Sequence, residues 1–260
     1  MKARSFTTIA LHIALGVLAL VVALPFIWMV RYAASGNGEA VRRLFDGSLP
    51  IVRWWMNSLF LACTYTVIVV LLCALAGFAI ARYAFVGKRI LIGVMLLTVL
   101  IPPQVLLPAG FELTAWLGWV DTYPAAIVPG LANVFGVLLF ATAMRAINDD
   151  VLAAARVDGC SEWRLWWSIA LPMVRPMVGA FSLMSFLASW NSFLWPQVVL
   201  ISESKHTLPI GLATLTTLPH AGGPAVVYAA VLIGIIPAAV LFVLLQRDLV
   251  EGLTSGATVD

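Results

Sequence analysis

Asn148-Asp-Asp-Val-Leu-Ala-Ala-Ala-Arg-Val-Asp-Gly-Cys-Ser-Glu-Trp-Arg-Leu-Trp-Trp-Ser-Ile-Ala-Leu-Pro172 is a polar, turn-broken stretch set between two long apolar runs. It reads as two short helices with a break. Asn148, Asp149 or Asp150 caps the first, and the acids suit its positive end. Val151 to Val157 is alanine-rich and helix-favouring. Gly159 supplies the left-handed residue that ends a helix. Ser161 caps the second helix, with Glu162 in its first turn. Trp163, Trp166 and Trp167 fall where an aromatic belt is expected as the chain re-enters lipid. The result is a helical knob outside the bilayer. Val151, Leu152 and Ala155 lie close together on it, with no intrachain partner evident from the sequence. Such a knob either docks in a groove of another protein, as an amphipathic helix does, or lies on the membrane surface.

The rest of the chain explains why the knob needs a bilayer. Of 260 residues, 62% are hydrophobic and 10% charged; a soluble domain has about 45–50% and about 25%. No soluble fold of this length hides so much apolar side chain. The reading is all-α and polytopic, with lipid around much of the surface. Six stretches are long enough to span: 6–30, 58–81, 90–111, 123–144, 173–201 and 223–246. The first follows Lys2 and Arg4 but is too long for a signal peptide, so a retained helix is expected. Ten of the fifteen Lys and Arg residues fall on one side if the N-terminus is cytoplasmic. That bias puts both termini in the cytoplasm. Pro25, Pro102, Pro103, Pro108, Pro124, Pro129, Pro196 and Pro237 lie within the spans. They either shape the helices or bend them around a cavity that they gate.

The spans almost lack Asp, Glu, Lys and Arg, which argues against an ion-coupled carrier. Their polar residues are neutral, among them Gln104, Asn133, Asn191 and Gln197. Such amides suit a neutral, hydroxyl-rich solute, or they hold helices together. Cys63, Cys73 and Cys160 fit no metal spacing and read as small buried apolar residues. A net charge of +3 suggests no nucleic-acid partner. There is no phosphate-binding G-x-x-x-x-G-K-[ST] loop, no G-x-S-x-G elbow and no H-E-x-x-H pair. The chain therefore reads as a transport subunit and not an enzyme. Energy for uphill transport must come from a partner. The rival reading is a self-sufficient sugar facilitator or secondary carrier.

Ala153-Ala-Ala-Arg-Val-Asp-Gly159, with Leu171-Pro172 and Pro176, resembles the "EAA" loop of ATP-binding-cassette importer permeases. Arg53-Trp-Trp-Met-Asn-Ser58, Gly118-Trp-Val-Asp-Thr-Tyr123, Ser189-Trp-Asn-Ser-Phe-Leu-Trp-Pro196, Thr207-Leu-Pro-Ile-Gly-Leu212 and Gln246-Arg-Asp-Leu-Val-Glu-Gly-Leu-Thr-Ser-Gly-Ala257 narrow it. They resemble the carbohydrate-uptake group, the maltose-permease-like second subunit. The resemblance implies a type I importer in a bacterial inner membrane. One permease domain, 1–260, would have six transmembrane helices and a coupling helix in the loop 145–168. Its implied partners are a homologous second permease, two copies of a cytoplasmic ATPase and an extracytoplasmic solute-binding protein. ATP and Mg would sit on the ATPase and no cofactor on this chain. Leu152, Ala153, Ala154, Ala155, Arg156, Asp158, Gly159 and Ser161 would form the ATPase-coupling surface. Ser202, Glu203, Lys205 and His206 would begin an outer loop, 202–222, facing the binding protein. The tail 251–260 would reach toward the ATPase. Asn133, Trp190, Asn191 and Gln197 are the residues expected on the solute path. Two departures stand out. Ala153 replaces the usual Glu, removing a charged contact with the ATPase, and Ser192 stands where many relatives carry Asp.

Overall fold

The computed structural model describes residues 2–34, 38–217 and 223–255. Among them there are helices and connecting turns but no strand. In chain order the helices are α1 (Lys2–Ala34), α2 (Glu39–Phe45), α3 (Ile51–Arg82), α4 (Lys88–Val99), α5 (Leu107–Trp116), α6 (Tyr123–Ile127), α7 (Val134–Arg145), α8 (Asp149–Val157), α9 (Glu162–Leu165), α10 (Leu171–Met173), α11 (Arg175–Trp190), α12 (Leu194–Val199), α13 (Leu208–Thr217) and α14 (Pro224–Ser255).

Three helical stretches are unbroken and apolar enough to cross a bilayer: Leu11–Ala34, Ile51–Arg82 and Pro224–Asp248. Three further stretches qualify only as bent pairs, at 93°, 48° and 82°, so the number of crossings lies between three and six. The bends follow from local chemistry. Pro102 and Pro103 stop α4 before the 93° turn, because each lacks an amide and biases the residue before it away from helix. Asn133 is extended where the 48° bend falls. Pro176 cannot donate to the carbonyl of Pro172, and Val174 leaves helical geometry at the 82° bend. Pro25 and Pro237, in contrast, lie inside continuous helices.

The fifth expected span, 173–201, is corrected. The bent pair begins at Glu162, and its helix ends at Trp190. Asn191 leaves helical geometry and its Nδ2 donates to the Leu187 carbonyl at 2.9 Å. The same carbonyl also accepts the Asn191 backbone amide at 3.1 Å, so the last turn closes on this residue and the helix ends. The chain then starts again as the short α12.

The contacts divide the chain into two units, Met1–Arg53 with Gly211–Ile236, and Trp54–Ile210 with Pro237–Asp260. In the first, Trp28, Tyr32 and Tyr228 form an aromatic triangle with ring centroids 5.2–5.4 Å apart. Most described side chains of α1 are exposed apolar groups, as expected of a helix that lipid surrounds.

The second unit holds the larger core. Val69, Val70, Cys73, Ala74 and Phe78 recur at helical spacing on α3 and meet Phe140 and Met144 of α7 and Phe181 of α11. Phe140 and Phe181 meet edge-on at 5.6 Å. Cys63, expected to be buried, is exposed on α3, whereas Cys73 is buried. Two glycines make room for close packing, Gly77 for the α7 backbone and Gly136 for the side chains of Phe181 and Cys73. A Cβ at Gly77 would lie 2.8 Å from the Ala141 amide nitrogen, and one at Gly136 would lie 2.3 Å from Phe181 Cζ. Lipid provides little hydrophobic drive between helices, so this close packing holds them.

Gly77→Ala is expected to destabilise the detergent-solubilised protein by about 1–3 kcal/mol, because α7 backbone must shift. Gly93, on α4, has open space around its Cβ position. Gly93→Ala should leave the melting temperature unchanged or raise it slightly. Thermal unfolding of the two variants side by side checks the contrast.

Candidate functional site

The elbow between α7 and α11 forms as its sequence dictates. Asn148 Oδ1 accepts the Asp150 amide at 2.9 Å and opens α8. Gly159, at φ 78°, closes it. The Cys160 amide reaches the Ala155 carbonyl and the Gly159 amide the Arg156 carbonyl, both at 3.0 Å. That pair of bonds is the Schellman motif. Ser161 Oγ accepts the Arg164 amide at 3.4 Å and opens α9.

Leu152 corrects the expectation of a knob without an intrachain partner. It is 1% exposed, in one cluster with Phe78, Met144, Ile147, Leu165 and Trp166. Trp166, expected in an interfacial belt, is buried there too, whereas Trp163 and Trp167 are exposed. One turn of α8 thus faces the chain's own core. The outward surface consists of Val151, Ala153, Ala154, Arg156, Val157, Asp158 and Gly159, with Ser161 beyond and Ala155 half-buried. Val157 is 88% exposed, an apolar side chain at the tip that sequence reasoning passed over.

Arg156 ties the two helices of the elbow together. Its Nε and Nη2 donate to Glu162 Oε1 and Oε2 at 2.7 and 3.2 Å, and the Tyr83 hydroxyl donates to the same carboxylate. The guanidinium, then the phenol, hold the Glu162 carboxyl below its ordinary range, and Glu162 in turn raises Arg156. Arg82, at the end of α3, joins the elbow to the helices. Its Nη1 pairs with Asp149, and its Nη2 donates to the carbonyls of Met144 and Ile147. Those carbonyls belong to the last turn of α7 and to the turn that follows it, where intrahelical donors run out. Arg82, Tyr83 and Glu162 were not singled out from sequence for these roles, since the two helix-end contacts cross 60 or more residues.

At the other end of α3 a second seat forms. Asp121 is the one non-glycine residue with positive φ, 62°, among the described residues. Its Oδ1 accepts the amides of Ile201 and Ser202 at 3.0 and 2.9 Å. Its Oδ2 accepts Ser202 Oγ at 2.5 Å and Lys205 Nζ at 2.9 Å. These bonds, the Ser202 hydroxyl foremost, hold its carboxyl well below the usual carboxylate range. From α3, Trp54 Nε1 donates to the Glu203 carbonyl at 3.1 Å, and Asn57 Nδ2 to those of Ser204 and His206 at 3.0 and 2.9 Å. Ser58 Oγ accepts the Leu208 amide at 2.8 Å. Of the residues expected to face a partner, Ser202 and Lys205 are thus engaged by Asp121, and Glu203 is exposed. His206 is half-buried. The loop's last residues, 218–222, and the tail's last, 256–260, lie outside the described residues.

Beside the outer seat, with which it shares Ser58, lies a cavity of about 400 Å³. Ser58, Tyr65, Ser189, Ser192, Trp195 and Thr207 supply its polar groups, and no lining residue carries a charge. The Thr207 hydroxyl is buried without a hydrogen-bond partner. Asn133, Trp190, Asn191 and Gln197 are not among the lining residues. Asn133 accepts the Gly136 amide and caps α7. Asn191 ends α11, and Trp190 stacks on Phe186 at 5.7 Å. Gln197 is exposed. A residue's place on a helix was legible from the sequence; which side of a bent helix faces the cavity was not.

Asp121→Asn should loosen 201–205, with a loss of about 1–3 kcal/mol, the scale of hydrogen bonds to a charged group. The native carboxyl titrates below its ordinary value. Its contribution is therefore complete above about pH 5, and fades only as pH falls toward the native value. The melting-temperature gap between wild type and variant should stay constant from about pH 5 to 8 and shrink below about pH 4.

Comparison with known proteins brings these features under one heading. The family model "Binding-protein-dependent transport system inner membrane component" matches residues 73–252, which include the elbow, most of the cavity and the outer seat. The arabinooligosaccharides transport system permease protein AraQ of Halalkalibacterium halodurans is 36% identical over 203 residues, covering 78% of this chain and 72% of that protein. The maltodextrin transport system permease protein MdxG of Bacillus subtilis is 30% identical, with 87% and 82% covered. A chain of a solved bacterial ABC transporter involved in import of the acidic polysaccharide alginate shares the fold, with a TM-score of 0.85 and 19% identity over 95% of this chain and 98% of that one. The polar elbow, the apolar helices and these matches agree: the chain is a multi-pass membrane protein and belongs to the family of binding-protein-dependent transport system inner membrane components.

Proposed function

We propose that this chain is the permease subunit of an ATP-driven, binding-protein-dependent importer of a neutral sugar or oligosaccharide. It forms half of the pathway as a single domain, 1–260, with six crossings, each bent pair counting as one, and both termini in the cytoplasm. A homologous permease forms the other half, two ATPase subunits bind below, and a solute-binding protein docks above. ATP and Mg belong to the ATPase. The chain itself is a transport component and not an enzyme.

The observation that carries this reading is the elbow. It is capped at both ends, fixed inward by Leu152 and outward-facing with Val157, Ala153 and Ala154. A surface helix that is rigid on its own chain and apolar at its tip suits a cleft in another protein. Ala153, Ala154, Ala155, Arg156, Asp158, Gly159 and Ser161 are the proposed coupling residues, joined by Val157, with Leu152 as their inward anchor. Glu162 bears on the missing Glu at 153: a carboxylate is present at the elbow, but it braces Arg156. Ser202, Glu203, Lys205 and His206 are the proposed face toward the binding protein.

The uncharged cavity supports a neutral solute. Its serines, Thr207 and Tyr65 offer hydroxyls to a sugar, and Trp195 offers an aromatic face. The transport proteins AraQ and MdxG are named for arabinooligosaccharides and maltodextrin. The path is therefore assigned to Ser189 and Ser192 in place of their neighbours Trp190 and Asn191.

Reconstituted with its partners in proteoliposomes, the complex should take up such a sugar only with ATP inside the vesicle compartment that holds the ATPase. Val157→Glu places a charge where the apolar tip would be buried, and should lower ATPase association about tenfold or more. Its site is exposed, so the fold should be unaffected. Sugar exchange by the purified chain alone, or full ATPase binding by Val157→Glu, would overturn the assignment.

A further inference from the structure

We infer that α3 is the strut that carries movement of the elbow to the outer segment 201–208, with Arg82 and Asn57 as the positioning residues at its two ends. The inference rests on the elbow being the ATPase seat.

Within Trp54–Ile210, every apolar stretch after α3 that is long enough to cross a bilayer is bent, by 93°, 48° or 82°. Bends of this kind absorb displacement. Only α3 runs unbroken through this part of the chain, and it contains no proline. From Asn57 to Arg82 it extends roughly 37 Å at 1.5 Å per residue.

Both of its ends are fastened by side chains. At one end Arg82 holds Asp149, the first residue of α8, together with two carbonyls at the close of α7. The side chain is 9% exposed, and its Nε is buried without a partner. The planar guanidinium can hold three acceptors at fixed angles, whereas a lysine offers one compact charge. At the other end Asn57 holds the carbonyls of Ser204 and His206, and Tyr123 donates to its Oδ1 at 3.0 Å. Trp54 and Ser58 add one bond each to the same segment. A displacement of α8 that keeps the Arg82 contacts must move α3, and α3 cannot move along its axis without displacing 203–208. Switching between packed states then reaches both faces together.

The test is amide hydrogen exchange on the assembled complex, with and without a non-hydrolysed ATP analogue, read at residues 201–208. In wild type, exchange there should differ between the two states. Arg82→Met should reduce that difference by about fivefold or more, the lower end of typical coupling between sites, while the ATPase stays bound. Arg82→Lys should restore part of it. Should Arg82→Met fail to assemble, Val67→Gly with Leu72→Gly softens α3 between its ends. Both side chains are exposed, and neither touches a seat. The same loss is expected. An undiminished difference in either variant with the ATPase bound would overturn the strut alone. An ATPase that never binds wild type would overturn both the seat and the strut.

Discussion

Backbone amides and carbonyls that leave a helix inside or beside lipid have no water to satisfy them. The polar architecture of this chain can be traced to that constraint. Asn191 returns a donor to the last turn of α11, and Asn133 accepts the Gly136 amide in the first turn of α7. Arg82 collects the carbonyls where α7 ends. Asp121 takes the amides of Ile201 and Ser202 where α12 has stopped. Amides and charges that look like solute ligands in an apolar sequence are, in several cases, the terms on which a helix is allowed to end.

The constraint separates what is fixed from what is free to act. The elbow is braced from within by Leu152, across its break by Arg156 and Glu162, and from α3 by Arg82. Its exposed surface mixes the small or apolar Val151, Ala153, Ala154 and Val157 with the charged Arg156 and Asp158. The loss of the family's Glu at Ala153 leaves the bracing intact, since none of these contacts involves that position. The outer segment is held with similar thoroughness by groups from α3 and from the turn at Asp121. The cavity beside the outer segment is lined by uncharged groups, several of them hydroxyls. On the importer reading proposed above, this division gives the charges mechanical roles and leaves solute contact to neutral side chains.

Legibility followed sequence distance. The caps at Asn148 and Ser161 and the left-handed Gly159 were read from neighbouring residues, because their bonds close within five positions. The prolines were legible only as a set: Pro102 stands at a bend while Pro25 and Pro237 lie inside continuous helices, and Pro176 had been noted only as part of a family motif. The residues missed were those whose partners are remote: Arg82 with Asp149, 67 positions away, and Asn57 with His206, 149 away. Asp121 had been noted only as part of a family motif. A charged residue directly beside a tryptophan-rich turn and a lysine far downstream gives no periodic signal that pairs them.

By itself, the sequence determined that this protein lives in a membrane, is helical and carries a capped elbow. Composition and local hydrogen bonding are properties of short stretches, and no tertiary contact can reverse them. Only the tertiary structure decided that Leu152 points inward, that Ser189 and Ser192 line the cavity while Asn191 ends a helix, and that α3 joins both seats. Those outcomes depend on the rotation of each helix about its axis and on where each one bends. In so apolar a chain nearly every face is hydrophobic, so the pattern that orients helices in water carries little information here. Orientation is set instead by where small residues admit a neighbour, as Gly77 admits the α7 backbone and Gly136 the Phe181 ring.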